Sequence, residues 1–194
     1  MAIKINYLNK TTAEPSANLI LFSNEKFNTK SLEKFLTSNE LVYINDLLKT
    51  SDLKKNFFVF ELNSKKKVIL VSIKNNIKIS NVENLGAELY GRINYGKNSQ
   101  YFIVSDSVIS KDKNFLGHFL HGIKLKSYEF NKYKTKKETR DITLNIVGNK
   151  NKPSSQNQLK FQAIEQGTFF ARDLVSEPGN ILHPDEYAKR LNSL

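Results

Sequence analysis

The sequence predicts an α/β fold with a mixed, mainly parallel sheet that is flanked by helices and followed by a long connecting helix. After residue 67, strand-like and helix-like patterns alternate along the chain, which is typical of crossover connections between parallel strands. The runs 57–62 and 67–73 are rich in β-branched and aromatic residues and have only polar residues between them, which predicts one hairpin. A chain of 194 residues can form one α/β domain and part of another.

Each element of the first half has a local signal. Residues 3–8 alternate apolar and polar side chains, and 18–22 form a short apolar run, so both are predicted strands. Asn28 or Thr29 can cap a helix over 31–36, and a second helix is expected over 40–48. The hairpin strands complete this half.

The second half repeats the alternation. Ser80 or Asn81 is expected to open a helix that closes near Gly96, followed by a compact strand at 101–105. The buried face of that helix is predicted to contain Val82, Leu85, Leu89 and Ile93. The next helix, ended by the Gly122 region, is marked by Phe115, Leu116, Phe119, Leu120 and Ile123. A final strand is predicted at 141–147.

The polar stretch 148–155 is the predicted linker, because it combines Gly, Pro, Ser and Lys without apolar residues. It divides the chain into an α/β domain (1–148), a linker with a connecting helix (149–176) and the start of a second domain (177–194). The connecting helix is expected over about 156–175. Its predicted buried residues are Leu159, Ala163, Ile164, Phe170, Leu174 and Val175.

Composition limits the class of protein. Hydrophobic residues make up 39% of the chain and the mean hydropathy is −0.46, which indicates a folded, polar domain. No apolar run approaches the roughly 20 residues of a membrane helix, and the first residues lack a signal-peptide pattern. There are no cysteines, which excludes disulfides and thiolate metal sites. We therefore expect a cytoplasmic protein without a membrane partner.

The net charge of +11 raises the question of a polyanionic partner. Lysine and asparagine are scattered along the chain, which favours a general compositional bias. The densest basic and aromatic segment is 128–137, where Lys132, Lys134, Lys136 and Lys137 are candidate nucleic-acid contacts. The other interpretation is a loop before an edge strand, where lysine discourages aggregation.

Other chemical signals are weak. His118 and His121 share a helix face at i, i+3, but no third metal ligand lies nearby in sequence, so ordinary helix histidines are the favoured interpretation. His183 stands alone in a turn. No Ser–His–Asp set is evident, and the glycines do not form a phosphate-binding loop after a strand.

Two segments together resemble the leucyl (cytosol) aminopeptidase family. One is Gly122-Ile-Lys-Leu-Lys-Ser-Tyr-Glu-Phe-Asn-Lys-Tyr-Lys-Thr135. The more specific one is Ala171-Arg-Asp-Leu-Val-Ser-Glu-Pro-Gly-Asn-Ile-Leu-His-Pro184, which is similar to the family's interdomain signature Ala-Arg-Asp-Leu-Val-Asn-x-Pro-x-Asn-x-Leu-Thr-Pro. Ser176, Gly179 and His183 depart from it. Pro184, with Asp185 and Glu186, still favours a helix start.

The resemblance implies a macro-domain-like first domain, a homohexameric parent and a catalytic domain with two divalent ions, zinc or manganese, which activate water to release N-terminal residues from peptides. No position of this chain matches a catalytic or metal residue of the family, so whether the chain itself is an enzyme is left open. The signature residues are interpreted as structural: Arg172, Asp173, Pro178, Asn180 and Pro184. Glu177 is assigned to the signature too, not to the metal set.

Three functions follow as hypotheses. The first is a non-catalytic assembly domain of a leucyl aminopeptidase, which contacts its own catalytic domain and further copies of itself. The second is a basic nucleic-acid-binding module that uses the 128–137 segment. The third is a macro-like domain that recognises a nucleotide, against which the missing phosphate loop argues.

Overall fold

The computed structural model describes residues 3–10, 13–14, 16–94, 99–135 and 141–193, and within them a six-stranded sheet. The order is β1-β6-β5-β2-β4-β3, and every neighbouring pair is parallel except β3 with β4. The strands are β1 Ile3–Tyr7, β2 Asn18–Asn24, β3 Phe57–Glu61, β4 Lys67–Ile73, β5 Ser99–Val104 and β6 Ile142–Val147. The predicted α/β class and the hairpin are confirmed.

The described part of the chain contains five α-helices, three of which pack on the sheet. They are α1 Ser38–Lys49, α2 Ile79–Ile93, α3 Phe115–Lys126, α4 Ser155–Ser176 and α5 Pro184–Asn192. Helices α2 and α3 cover one face of the sheet, where Phe22 packs edge-on against Phe115 and Phe119. Helix α1 and the segment before it cover the other face. None of the described helices is both long and apolar enough to cross a membrane.

Helices α2 and α3 cross at very short distance because each has a glycine at the contact. A Cβ at Gly86 would lie 2.0 Å from the Phe119 carbonyl oxygen, and one at Gly122 would lie 1.9 Å from the Glu83 carbonyl oxygen. The expectation that the Gly122 region ends its helix is wrong, since α3 continues to Lys126. Gly122 serves close approach of two backbones rather than termination.

Two predicted helix starts also differ from the structure. Residues 31–36 do not form an α-helix: only Lys30–Leu32 forms a 3-10 turn, and the Thr29 hydroxyl donates to Asn45 at 2.8 Å instead of capping a helix. The residue before α2 is Lys78, with no side-chain cap. In contrast, α1 is capped by Thr37 and Glu40, which exchange reciprocal hydrogen bonds. Gly96 lies outside the described residues.

Helix α4 packs on the outside of α3, and its predicted buried face is wrong. None of its residues is fully buried, and Leu159, Ile164 and Val175 are 67%, 44% and 87% exposed. Ala163 is exposed as well, and Phe170 and Leu174 are only half-buried. The inward side carries Phe161, whose ring lies where a Cβ of Gly117 would be.

Candidate functional site

The two family-like segments, separate in sequence, meet in space at the carboxyl end of α4. The Tyr128 hydroxyl donates to the Asp173 carboxylate at 2.8 Å. The Arg172 guanidinium donates to the Leu125 carbonyl oxygen at 2.6 Å and lies 5.4 Å from the Tyr128 ring centre. These two signature residues therefore fasten α4 to the last turn of α3 and to the segment that follows it.

Glu177 is the centre of this junction. Its carboxylate accepts hydrogen bonds from the Lys132 ammonium, the Tyr133 hydroxyl and the Arg190 guanidinium, the last at 2.8 Å. The Glu177 side chain is only 1% exposed. Arg190 also binds Glu186 at 2.9 Å within α5. One carboxylate thus joins the 128–135 segment, the end of α4 and α5, and we call these contacts the Glu177 clamp.

The electrostatics of the Glu177 clamp favour its charged form. The hydrogen bond from Lys132 and then that from Tyr133 lower the pKa of Glu177 to about 2. The same contacts raise the pKa of Lys132, Tyr133 and Arg190. Because every charge at the junction has a compensating partner, the clamp is suited to holding elements together rather than to proton transfer.

The other three signature residues lie in the turn between α4 and α5 and at the start of α5. The Pro178 carbonyl oxygen accepts the N–H groups of Ile181 and Leu182 at 2.9 and 3.0 Å. Pro184 is the first residue of α5, as its position after His183 predicts, while Asn180 is exposed. A cleft of about 440 Å³ lies beside this turn, between α4, Arg190 and residues 129–132.

The basic segment is only partly available as a nucleic-acid surface. Lys132 is engaged by Glu177, whereas Lys134 is exposed. Lys136 and Lys137 lie outside the described residues. Nucleic-acid binding stays a prediction that these contacts do not favour.

The two histidines of α3 point to different acids. The Nδ1 atom of His118 is 3.3 Å from Glu83 of α2, and that of His121 is 3.3 Å from Glu165 of α4. Phe161 packs against both rings. Across the described ranges, no three His, Asp or Glu side chains are grouped so that they could hold a metal ion.

In α/β proteins, nucleotides bind at the carboxyl ends of the parallel strands. In this protein the Asp106 carboxylate lies at that place, after β5 and beside the end of β6. The backbone N–H groups of Asn149 and Lys150 donate to the Asp106 carboxylate at 2.8 and 2.6 Å. They follow Gly148, whose φ of 116° turns the chain there. Because Asp106 already occupies the N–H groups that would cradle a phosphate, this edge does not favour the nucleotide hypothesis.

Sequence reasoning named Lys132 only as a candidate nucleic-acid contact and did not identify Tyr133 and Arg190 as the other partners of Glu177. Tyr133 belongs to the basic and aromatic segment 128–137, and Arg190 has no distinguishing signal in the linear sequence. The only available signal was that both segments resemble the same family, which is compatible with contact between them. The contact itself depends on how α4 lies across α3.

Comparison with curated proteins finds relatives named probable cytosol aminopeptidase. The protein from Methylorubrum extorquens is 30% identical over 115 residues, which cover 57% of this chain and 22% of the relative. The protein from Clostridium perfringens is 36% identical over 106 residues, covering 50% of this chain and 21% of the relative. The chain thus spans about a fifth of the length of these relatives. No family model matches it.

Solved structures share the fold over nearly the whole chain. A tomato leucine aminopeptidase mutant covers 98% of this chain and 42% of its own, with a TM-score of 0.65 and 18% identity. The bottromycin maturation enzyme BotP in complex with Mn covers 92% and 36%, with a TM-score of 0.64 and 11% identity. A cytosol aminopeptidase from Coxiella burnetii covers 96% and 36%, with a TM-score of 0.61 and 12% identity. The chain therefore shares its fold with part of each of these three proteins.

Proposed function

We propose that this chain, which is related to the cytosol aminopeptidases, acts as the amino-terminal, non-catalytic assembly domain of a leucyl aminopeptidase. In this proposal 1–148 is the α/β domain, 149–176 connects it, and 177–194 begins the catalytic domain. The two divalent ions, zinc or manganese, and the peptide substrate belong to that catalytic domain. A cytoplasmic location and a homohexamer are part of the same proposal.

The observation that carries this proposal is the Glu177 clamp. A connecting segment that has to place a second domain needs a defined direction, and Glu177 ties α5 to the domain through Arg190 and to the 128–135 segment through Lys132 and Tyr133. Because the hydrogen-bonded carboxylate is almost fully shielded from water, its bonds are exchanged with solvent less readily than those of an exposed pair.

The outer surfaces of α4 and α5 support a role in assembly. Leu159 and Val175 of α4, and Tyr187 and Leu191 of α5, present exposed large apolar side chains beyond the clamp. Exposed apolar side chains on these two helices are available for contact with another domain or another copy. We therefore assign these two helices to contacts with the catalytic domain and with further protomers.

A hydrolysis assay tests the non-catalytic part of the proposal. The purified 194-residue chain is incubated with manganese and a leucyl chromogenic substrate, beside a complete cytosol aminopeptidase as the positive control. We expect turnover only from the control. Substrate release by the 194-residue chain that scales with its concentration would refute the proposal.

A sedimentation experiment tests the assembly part. We expect the chain to associate with rising concentration, and Leu159→Glu and Val175→Glu to weaken this association. Val59→Glu, which changes an exposed apolar residue on the edge strand β3, is the matched control. Equal weakening by all three substitutions, or a strictly monomeric wild-type chain, would show that Leu159 and Val175 do not drive self-assembly.

A further inference from the structure

A second cavity lies on the face of the sheet that α1 covers, opposite to the face covered by α2 and α3. Its volume of about 420 Å³ is within the roughly 300–1,000 Å³ typical of small-molecule sites. Its apolar wall contains Ala13, Leu19, Phe35, Leu36 and Val104. Its charged residues are Glu14, Lys34, Glu40 and Lys66. The function proposed above uses none of them.

Lys66 brings an almost fully buried positive charge to this cavity. Its side chain is 7% exposed, and its ammonium donates a hydrogen bond to the Glu40 carboxylate at 2.6 Å. An ammonium group has three N–H donors, and within the described residues Glu40 is the only acceptor that the Lys66 ammonium contacts. Because a buried charge is stabilised when it is fully hydrogen-bonded, the two other N–H donors favour a ligand that supplies acceptors.

Both oxygens of the Glu40 carboxylate are already hydrogen-bonded. One accepts from Lys66, and the other accepts the Thr37 N–H group at 2.9 Å as part of the cap of α1. Burial raises the pKa of Glu40, but the hydrogen bonds from Lys66 and Thr37 outweigh this effect and lower the pKa below its usual value, so the pair is ionic. This pair fastens α1 to the start of β4, and that structural role uses one of the three Lys66 donors.

We propose that this cavity binds a small monocarboxylate with a compact apolar body. The ligand carboxylate accepts from the two Lys66 donors that Glu40 does not use, and its body packs against the apolar wall. A carboxylate suits this place better than a neutral acceptor, because a hydrogen bond between two charged groups is stronger. Lys34 is exposed, has no ion-pair partner in the described part of the chain and adds a second positive charge, while the exposed Glu14 carboxylate opposes it from water. The net charge of +11 also favours an anion. This inference does not depend on the assembly role proposed above.

A ligand series with the wild-type 194-residue chain tests the proposal. Hexanoate, hexanamide, hexylamine and acetate are compared by calorimetric titration and by the shift of the unfolding temperature. We expect saturable binding of hexanoate, affinity about tenfold lower for hexanamide, which has a neutral acceptor, and no binding of hexylamine. Acetate should bind about a hundredfold more weakly, because it lacks four CH₂ groups for the apolar wall. Hexanamide or hexylamine binding as tightly as hexanoate, or no saturable binding of hexanoate, would overturn the proposal.

Two pairs of variants locate the site. Lys66→Met should weaken hexanoate binding about tenfold to hundredfold, whereas Lys67→Met, which changes the next lysine, paired with Glu61 outside the cavity, should not. Ala13→Leu, which fills the cavity without touching the ion pair, should weaken it about tenfold or more, and Ala163→Leu, at an exposed position of α4, is its control. Equal effects of site and control variants would contradict the assignment. If Lys66→Met does not fold, Ala13→Leu and the wild-type ligand series still decide.

Discussion

Helices α2 and α3 cross closely at Gly86 and Gly122. This contact predicts that the same Gly→Ala substitution at two positions of α2 has opposite effects on the free energy of unfolding. Gly86 faces α3, and a Cβ there would lie 2.0 Å from the Phe119 carbonyl oxygen and 3.0 Å from its carbon. Gly91, five residues later on α2, is exposed and has no atom within 4 Å of the corresponding position. Gly86→Ala should therefore destabilise the domain, and Gly91→Ala should stabilise it.

The size of the effect follows from the geometry. A Cβ contact below 3.0 Å essentially never occurs, so the helices would have to separate by about 1 Å. Overpacking typically costs about 1–3 kcal/mol, and the rigid backbone on the other side places Gly86→Ala near about 3 kcal/mol. Gly91→Ala removes only the helix penalty of glycine and should gain about 0.5–1 kcal/mol.

Urea and thermal unfolding of the two variants measure the difference. For a chain of this length, a loss of about 3 kcal/mol lowers the unfolding temperature by roughly 6–12 °C. The Gly91→Ala variant controls for helix propensity, because both changes add the same methyl group to α2. The close crossing would be refuted if both variants unfolded at the same temperature as the wild-type chain.

Three further predictions concern α4 and the Glu177 clamp. Phe161→Ala should lower the free energy of unfolding by about 2 kcal/mol, because the ring packs against α3. Leu159→Ala, on the exposed side of α4, should change it little, and equal losses would show that Phe161 does not face α3 more than Leu159 does. Glu177→Gln should weaken the hold on α5 and speed tryptic cleavage after Arg190; an unchanged cleavage rate would argue against the clamp. The pKa of Glu177 is lowered from 4.5 to about 2, so its contribution to the free energy of unfolding is complete above pH 4.5 and is lost as the pH falls toward 2. When the free energy of unfolding is measured against pH, Glu177→Gln should therefore flatten the curve between these two values.

Local sequence patterns predicted the strands well because strand formation here depends on short apolar runs. Strands β2 and β4 are buried in the middle of the sheet, and both appear as nearly continuous apolar runs. The buried positions Val82, Leu85, Leu89 and Ile93 of α2 were predicted for a similar reason, since a helix on a sheet has one apolar side.

The same reasoning misassigned α4 because this helix packs on another helix outside the sheet. Its inward contacts combine Phe161 with the polar pair Glu165 and His121, while apolar residues such as Leu159 face outward. Hydrophobic periodicity assumes that apolar means buried, and that assumption fails where a surface is left for a further contact.

The sequence by itself determined the α/β class, the antiparallel hairpin and the family resemblance, because each depends on the order of residue types along the chain. Only the tertiary structure decided that β1 lies at the sheet edge beside β6, where Asn6 donates to Asn145 at 2.9 Å, and that Glu177 gathers Lys132, Tyr133 and Arg190. The physical reason is separation: these partners lie 13 to 139 residues apart in the sequence. Contacts over such distances are set by how the helices and strands pack, which no local pattern records.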